Sequence, residues 1–233
     1  MIPDSSGDTP TRPPQLRPGA GTPGHRPQGE TDTDVFGPSL SAAFLNCGID
    51  RMQRGEAAAS ISDFDEAIRI DPTLARAWCL RGYARAMERD WQQAASDLLR
   101  SMEIGLTPQH EDSARLRLWV VQARLGDAAG ASRSLREWFA RRNTPTPAPW
   151  ILRIANYLTG ALPEHVFLDA LRSQTTAGVE GRTCEAWYFV GEKRLSMGDT
   201  EGARGAFQKA VSCRAQGVSA WISARTALAG LQS

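Results

Sequence analysis

A glycine interrupts an apolar helical pattern at three places in this 233-residue sequence. The stretch AWYFVGEKRLSMGDTEGARGAFQKAV contains Gly191, and two similar stretches contain Gly48 and Gly82. A glycine inside a helix costs about 1 kcal/mol relative to alanine. Because the close approach of another helix is the commonest reason for such a glycine, the pattern predicts helices that pack in tight pairs.

The three stretches are copies of one repeat. Residues 44–67 align with residues 187–210, and residues 78–101 form a third copy that begins 34 residues after the first. In each copy the two helices offer small residues to each other, so that their side chains interdigitate at short range. A proline after IRID ends the second helix of the first copy, since proline lacks a donor. The repeat positions are Phe44, Gly48, Phe64, Ala67, Pro72, Trp78, Gly82, Ala94, Trp187, Gly191, Ala203, Phe207 and Ala210.

A 34-residue period with an aromatic start, a glycine and a closing proline resembles the tetratricopeptide repeat (TPR). The resemblance implies an all-α fold, a right-handed superhelical solenoid of about five helix pairs with a C-terminal capping helix. We place regular repeats at 41–74, 75–108 and 184–217, divergent pairs at 109–143 and 147–174, and the cap at 218–231. In the first divergent pair, Trp119 stands where the glycine is expected. Trp78 and Trp187 are predicted to be core residues.

The domain is predicted to span residues 39–233 and to follow a different kind of segment. Residues 1–38 are rich in proline and glycine and contain few large apolar side chains. Such a segment buries too little surface to offset the entropy of ordering it, so we expect it to be disordered. It lacks the basic start and apolar core of a secretory signal. The sequence as it stands therefore predicts a cytoplasmic protein.

The order of elements also resembles bacterial lipoproteins of the NlpI type over residues 41–231. The likeness is carried by CEAWYFVGEKRLSMGDTEGARGAFQKAV with the Ala/Leu-rich helix after it, and by YLTGALPEHVFLDAL before it. This resemblance implies a dimeric cell-envelope adaptor that presents cell-wall hydrolases to a periplasmic protease, and hence a periplasmic location. The sequence departs from that family in its Pro-rich head, where a signal peptide and a lipid-modified cysteine are expected.

Composition and motifs argue against several function classes. A formal charge of +1 gives no support for nucleic-acid binding. No run approaches the roughly 18 apolar residues of a membrane helix. The sequence has no Gly-rich phosphate loop, no metal-binding helix motif and no local catalytic signature, and His25, His110 and His165 are expected to be solvated or capping. We therefore expect no enzyme activity, no cofactor and no metal.

The four cysteines show no C-x-x-C spacing. Cys47 and Cys79 are predicted to be small packing residues inside first helices. Cys184 begins one helix and Cys213 ends its partner, so both lie at the same end of an antiparallel pair. A disulfide between them is one alternative, and two free thiols are the other.

Stacked helix pairs form a concave surface lined by the first helices, and such surfaces bind segments of partner proteins. The predicted function is a protein-interaction adaptor, and the alternative is self-assembly into a dimer or oligomer. The lining is mostly apolar and lacks the Lys and Asn with which TPR modules clamp a terminal carboxylate, so the expected ligand is an apolar or amphipathic segment. Tyr83 and Tyr188 of this predicted lining could instead pack between neighbouring repeats. The predicted groove residues are Leu45, Ile49, Cys79, Tyr83, Tyr188 and Glu192.

Overall fold

The computed structural model describes residues 32–141, 148–172, 179–214 and 219–231, and all regular secondary structure in these ranges is α-helical. The first six helices are α1 (Asp32–Gln53), α2 (Ala57–Ile70), α3 (Ala75–Met87), α4 (Trp91–Ile104), α5 (Pro108–Arg124) and α6 (Ala128–Arg141). The remaining helices are α7 (Pro149–Leu158), α8 (Glu164–Arg172), α9 (Val179–Ser196), α10 (Thr200–Val211) and α11 (Ser219–Ala229).

Consecutive helices pack as five hairpins, α1 with α2 through α9 with α10, and α11 follows them. This is the predicted all-α stack of TPR-type helix pairs with a further C-terminal helix. Helix α2 ends at Ile70, two residues before Pro72, and the indole of Trp78 donates to the Pro72 carbonyl at 3.0 Å. The predicted ends of the helices in the regular repeats agree with the structure to within one or two residues, except at the starts of α1 and α9.

Helix α1 begins at Asp32, whereas the sequence placed its start near residue 41. Residues 32–38, assigned to the disordered tail, are therefore helical in backbone, and the rest of that tail lies outside the described residues. The boundary is expected near residue 38 because glycine and proline disfavour a helix interior, but the backbone is helical through Gly37 and Pro38. Helix α9 likewise begins at Val179, ahead of the predicted start of its repeat at residue 184.

The glycines inside the first helices allow the close approach that the repeat predicts. A Cβ on Gly48 would lie 2.8 Å from Cδ1 of Phe64, and one on Gly191 would lie 2.6 Å from Cδ1 of Phe207. In the second hairpin, a Cβ on Gly82 would lie 3.0 Å from Cγ of a leucine in α4. A bulky side chain of the second helix, a phenylalanine ring or a leucine, thus occupies the space that a side chain on the first helix would need.

The turn between the two helices of each regular repeat contains one residue in the left-handed region of backbone space. Gly55 and Gly198 have φ of 81°, as expected for residues without a Cβ. The equivalent residue of the second repeat is Arg89, with φ of 64°. In the last repeat the next residue, Asp199, accepts a hydrogen bond from the backbone of Gly202 and caps α10.

The divergent hairpins build the larger core. Trp119 is buried, and its indole nitrogen donates to the Ser132 hydroxyl at 2.9 Å, so a tryptophan takes the place of the close glycine contact. In the next pair the rings of Tyr157 and Phe167 stack with centroids 4.5 Å apart. These side chains belong to one apolar cluster that extends from α5 to α11. Trp78 and Trp187, predicted as core, pack against apolar clusters but are only partly buried.

Candidate functional site

Helix α11 lies against the inner faces of the first helices. It packs on α9 and α10, as a cap on the last repeat should, and it also reaches α3. Ile222 of α11 is buried in one cluster with Leu45 and Met52 of α1 and Met87 of α3. A helix of the same chain therefore covers part of the concave face that the sequence predicted as a groove.

A cavity of about 260 Å³ remains beside the amino end of α11. Its walls come from α3, the start of α5, α9 and the first turn of α11. A second cavity of about 140 Å³ adjoins it and shares Arg76, Leu80 and Ser219 with it. We call the two together the inner cleft. It is lined by Ile49, Met52, Gln53, Arg76, Cys79, Leu80, Tyr83, Leu106, His110, Ser113, Leu116, Arg117, Glu185, Tyr188, Phe189, Ser219, Ala220 and Ile222.

Arg117 of α5 is the charged group deepest in the inner cleft, with 7% of its surface exposed. Its Nη1 donates to the Tyr188 hydroxyl at 2.6 Å and to the Ser223 hydroxyl at 3.0 Å. Its guanidinium carbon lies 5.1 Å from the ring centre of Tyr83 and 5.0 Å from that of Tyr188. Arg117 thereby joins α3, α5, α9 and α11 at one point.

Glu185 of α9 also lines the inner cleft and accepts a hydrogen bond from the indole nitrogen of Trp150 at 2.7 Å. Burial raises the pKa of Glu185 above its usual value, against the lowering effects of the Trp150 hydrogen bond and of Arg117. Burial likewise raises the pKa of the Cys79 thiol to about 11. At neutral pH this thiol stays protonated and is a poor nucleophile.

On the opposite side of Arg117 lies a smaller cavity of about 60 Å³, formed with the carboxyl half of α11. Arg124 and Glu192 line it and form a bidentate pair, with Nε to Oε2 at 2.7 Å and Nη2 to Oε1 at 3.0 Å. The Arg124 guanidinium also lies over the ring of Trp91, 5.4 Å from its centre. Glu192 is only 4% exposed, so this pair is a structural link between α5 and α9.

The structure brings part of the predicted groove set together. Cys79, Tyr83 and Tyr188 line the larger cavity of the inner cleft, and Ile49 lines the adjoining one. Leu45 and Glu192 do not line the inner cleft, because Leu45 is buried in the α1–α3 cluster and Glu192 is ion-paired with Arg124. Cys79, Tyr188 and Glu192 are buried inside the domain, so they do not lie on an open concave surface.

Sequence reasoning missed Arg117, Glu185 and the amino end of α11. Arg117 stands in the run ARLRLWVV, where an arginine on an otherwise apolar face is a signal that could have been noticed. No comparable signal exists for Ser219 or Ala220. Their presence in the cleft depends on where α11 lies, and that is a property of the assembled stack.

The arginines of α3 lie in different surroundings. Arg81 forms two bonds to Asp97, at 2.7 and 2.8 Å, and one to Asp65 at 2.6 Å, while Arg85 binds Asp97 at 2.8 Å. Arg76 is exposed and lines the inner cleft. The run of arginines is therefore partly a buried ion-pair network and partly the rim of the cleft.

All four cysteines are free thiols in the structure, so Cys184 and Cys213 are not joined there. Cys47, predicted as a packing residue, is exposed, and Cys79 is buried as predicted. In the described ranges no three His, Cys, Asp or Glu side chains are grouped so that they could hold a metal ion. Among the same residues, no helix combines the length and the apolar character that crossing a membrane requires.

Comparison with known proteins gives a similarity of fold. No protein-family profile matches the chain. Among solved structures, the chain is similar to YrrB, described as a TPR protein with an unusual peptide-binding site. The match has a TM-score of 0.41 and 15% sequence identity, and it covers 79% of this chain and 93% of YrrB.

Proposed function

We propose that this chain is a non-enzymatic protein-interaction adaptor that binds a segment of a partner protein in the inner cleft. The observation that carries the proposal is the cleft itself, a cavity of about 260 Å³ continued by one of about 140 Å³ on the face that TPR-type stacks use for binding. Helix α11 packs against the same face through Ile222, which supports the proposal that this surface accepts a segment of chain.

The lining of the cleft favours an amphipathic segment. Leu80, Leu106 and Phe189 offer apolar surface, and Tyr83 offers both a ring and a hydroxyl. Binding surfaces of this kind concentrate affinity in a few aromatic and arginine side chains. The Cys79 thiol in the cleft is held in its protonated form by burial, which makes it a poor nucleophile. This lining supports the binding of an amphipathic segment.

A tryptophan at position 113 tests the site. Ser113 is exposed at the wall of the cleft, so Ser113→Trp fills the cleft from its rim without entering the core. The matched control is Ser134→Trp, an exposed position on α6 that lines none of the cavities described above. Proteins captured by the wild-type chain and by the control, but lost with Ser113→Trp, would be cleft ligands. Equal capture by all three proteins contradicts the proposal.

Truncating Tyr83 provides a second test with a purified partner. Tyr83→Ala removes the ring that lines the cleft, and we expect partner binding to weaken by about 1–2 kcal/mol, the usual size of an aromatic hot spot. Tyr188→Ala is expected to act in the same direction, through both its ring and its contact with Arg117. If binding by both variants stays within about 0.5 kcal/mol of wild type, the cleft is not the binding surface.

The resemblance to NlpI-type lipoproteins extends this proposal to the partner. On that reading the captured proteins are an envelope protease or peptidoglycan hydrolases, whereas cytoplasmic clients favour a general scaffold. Self-assembly remains the alternative, and light scattering separates the two classes. A monomer at micromolar concentration disfavours a structural dimer or oligomer.

A further inference from the structure

We propose that the partner segment carries an acidic side chain whose carboxylate pairs with Arg117 inside the inner cleft. This inference rests on the adaptor function proposed above and names the chemistry of its ligand. It follows from the charge of Arg117, from the groups around it and from the shape of the space that it faces.

Arg117 differs in its partners from the buried Arg81 and from the half-buried Arg85 and Arg124. Arg81, Arg85 and Arg124 each bind a carboxylate at 2.7–2.8 Å. Within the described part of the chain, Arg117 has only hydroxyl acceptors, those of Tyr188 and Ser223, and both bind Nη1. A guanidinium has five N–H donors and is always charged. Buried charges are ordinarily paired, because an unpaired one is costly.

Three arginines, Arg76, Arg117 and Arg124, face two carboxylates, Glu185 and Glu192, around this point, so positive charge is in excess. Glu185, the carboxylate in the lining of the cleft, attracts Arg117 at a distance, but it accepts its hydrogen bond from Trp150, and no ion pair joins it to Arg117 among the described residues. Arg76 adds a second positive charge at the rim. Glu192, on the other side of Arg117, is already neutralised by Arg124. An incoming carboxylate would therefore complete the charge balance of the site.

The shape of the cleft favours a segment of chain over a small ion. The two cavities share Leu80 and Ser219, so the space runs on from Arg117 toward Met52. Apolar walls flank the path, formed by Leu80, Leu106 and Phe189. An acidic side chain between apolar neighbours would place its carboxylate at Arg117 and its neighbours against these walls.

The proposed contact differs from the carboxylate clamp of other TPR modules, because Arg117 does not occupy either groove position at which those clamps carry Lys and Asn.

The probes are three pentapeptides titrated into the ¹⁵N-labelled full chain and followed by NMR. The first is acetyl-Ala-Leu-Glu-Leu-Ala-amide, and the second has Gln in place of Glu. The third keeps Gln but ends in a free carboxylate. We expect the Glu peptide to bind about tenfold more tightly than the Gln peptide, as a charge-assisted pair implies. It should also shift the Arg117 Nε–H resonance, which is identified by its loss in Arg117→Gln.

Two variants complete the test. Arg117→Gln is expected to bind the Glu and Gln peptides equally, whereas Arg100→Gln, which removes an exposed charge on α4, keeps the tenfold preference. The inference is overturned if wild type binds the two capped peptides alike, if Arg117→Gln keeps the preference, or if the free-carboxylate peptide binds most tightly. Should Arg117→Gln fail to fold, the wild-type peptide comparison and Arg100→Gln still decide.

The outcome separates this inference from the proposed function. If Ser113→Trp abolishes partner capture while the peptides show no preference for Glu, the cleft binds a partner but not through a carboxylate. If Ser113→Trp leaves capture unchanged, the adaptor proposal for this cleft fails, whatever the peptides do.

Discussion

The sequences of the first regular helix pair, α1–α2, and of the last, α9–α10, align residue by residue, and Phe44 is equivalent to Trp187. Inside each pair the packing is the same. The ring of Phe64 covers Gly48, and the ring of Phe207 covers Gly191 in the same way. This contact is local to the hairpin, so it is reproduced wherever the repeat occurs.

The charged contacts of the two pairs differ. Arg51 of α1 binds Asp63 within its own hairpin at 2.8 Å. The equivalent arginine in α9 is Arg194, but Ala206 takes the place of the aspartate. Arg194 instead pairs with Glu164 at the start of α8, in the neighbouring divergent hairpin. Because the last pair has no carboxylate at this position, its arginine can join two hairpins.

Position in the stack accounts for a second difference. Cys47 of α1 is exposed, whereas Val190, its equivalent in α9, is fully buried. Helix α1 lies at the end of the stack, while α9 is packed against α5, α7, α8, α10 and α11. The repeat thus supplies the hairpin, and the neighbours of each hairpin decide which of its faces becomes a core or a cleft.

The largest effect is expected at Asp97, the second repeat's counterpart of Asp63. Asp97 is 2% exposed and binds both Arg81 and Arg85. Asp97→Ala leaves Arg85 without its carboxylate and Arg81 with the half-exposed Asp65 alone, so we expect the free energy of unfolding to fall by about 3–5 kcal/mol. Asp63→Ala should cost less, about 1 kcal/mol, because Arg51 is partly exposed and can be solvated. Urea denaturation measures both, and equal losses would contradict this account.

The second-largest effect is expected where Gly191 contacts the ring of Phe207. Gly191→Ala places a Cβ 2.6 Å from Cδ1 of Phe207, and we expect the free energy of unfolding to fall by about 2 kcal/mol from overpacking. Gly205→Ala is the matched control in α10, where a Cβ would meet nothing within 4 Å. The free energy of unfolding of this control should rise by about 0.5–1 kcal/mol from helix propensity alone. If both substitutions stabilise the protein in urea denaturation, close approach is not the reason for the glycine.

A smaller, pH-dependent effect is expected at Glu164. Burial tends to raise the pKa of Glu164, but its bonds to Arg194 and Tyr157 outweigh burial, and the net pKa lies below the usual 4.5. The stabilisation is therefore complete above the unfolded-state pKa and is lost as the pH falls through the folded-state value. Glu164→Gln should cost about 1 kcal/mol at pH 7. The difference in the free energy of unfolding between Glu164→Gln and wild type, measured by urea denaturation, should disappear in strong acid. A difference that does not change with pH would contradict this prediction.

The smallest effect concerns the turn residue. Arg89 adopts φ of 64° where the first and last repeats have Gly55 and Gly198. Arg89→Gly relieves this strain but adds freedom to the unfolded chain, so we expect a net gain of about 0.5 kcal/mol. Gly198→Ala, with open space around its Cβ, should lose about 1 kcal/mol through backbone strain alone. Melting temperatures that move in the opposite directions would show that the positive φ at these turns does not determine how the substitutions affect stability.

The amino-acid sequence by itself determined the helices and their pairing. The small residues, the bulky partners at fixed spacing and Pro72 predicted the hairpins and nearly all helix ends in the regular repeats. These features are local, because they depend on contacts within about 34 residues. The glycine contacts at positions 48, 82 and 191 confirm the physical reason that was inferred for them.

Only the tertiary structure decided what the inner face looks like. The sequence predicted α11 as a cap, but α11 also crosses to α3 and turns an open groove into the inner cleft. Arg117, Tyr188 and Ser223 lie far apart in the sequence and meet because three helices converge there. Contacts of this kind depend on the curvature of the whole stack, which accumulates over many small packing angles and is not encoded in any single repeat.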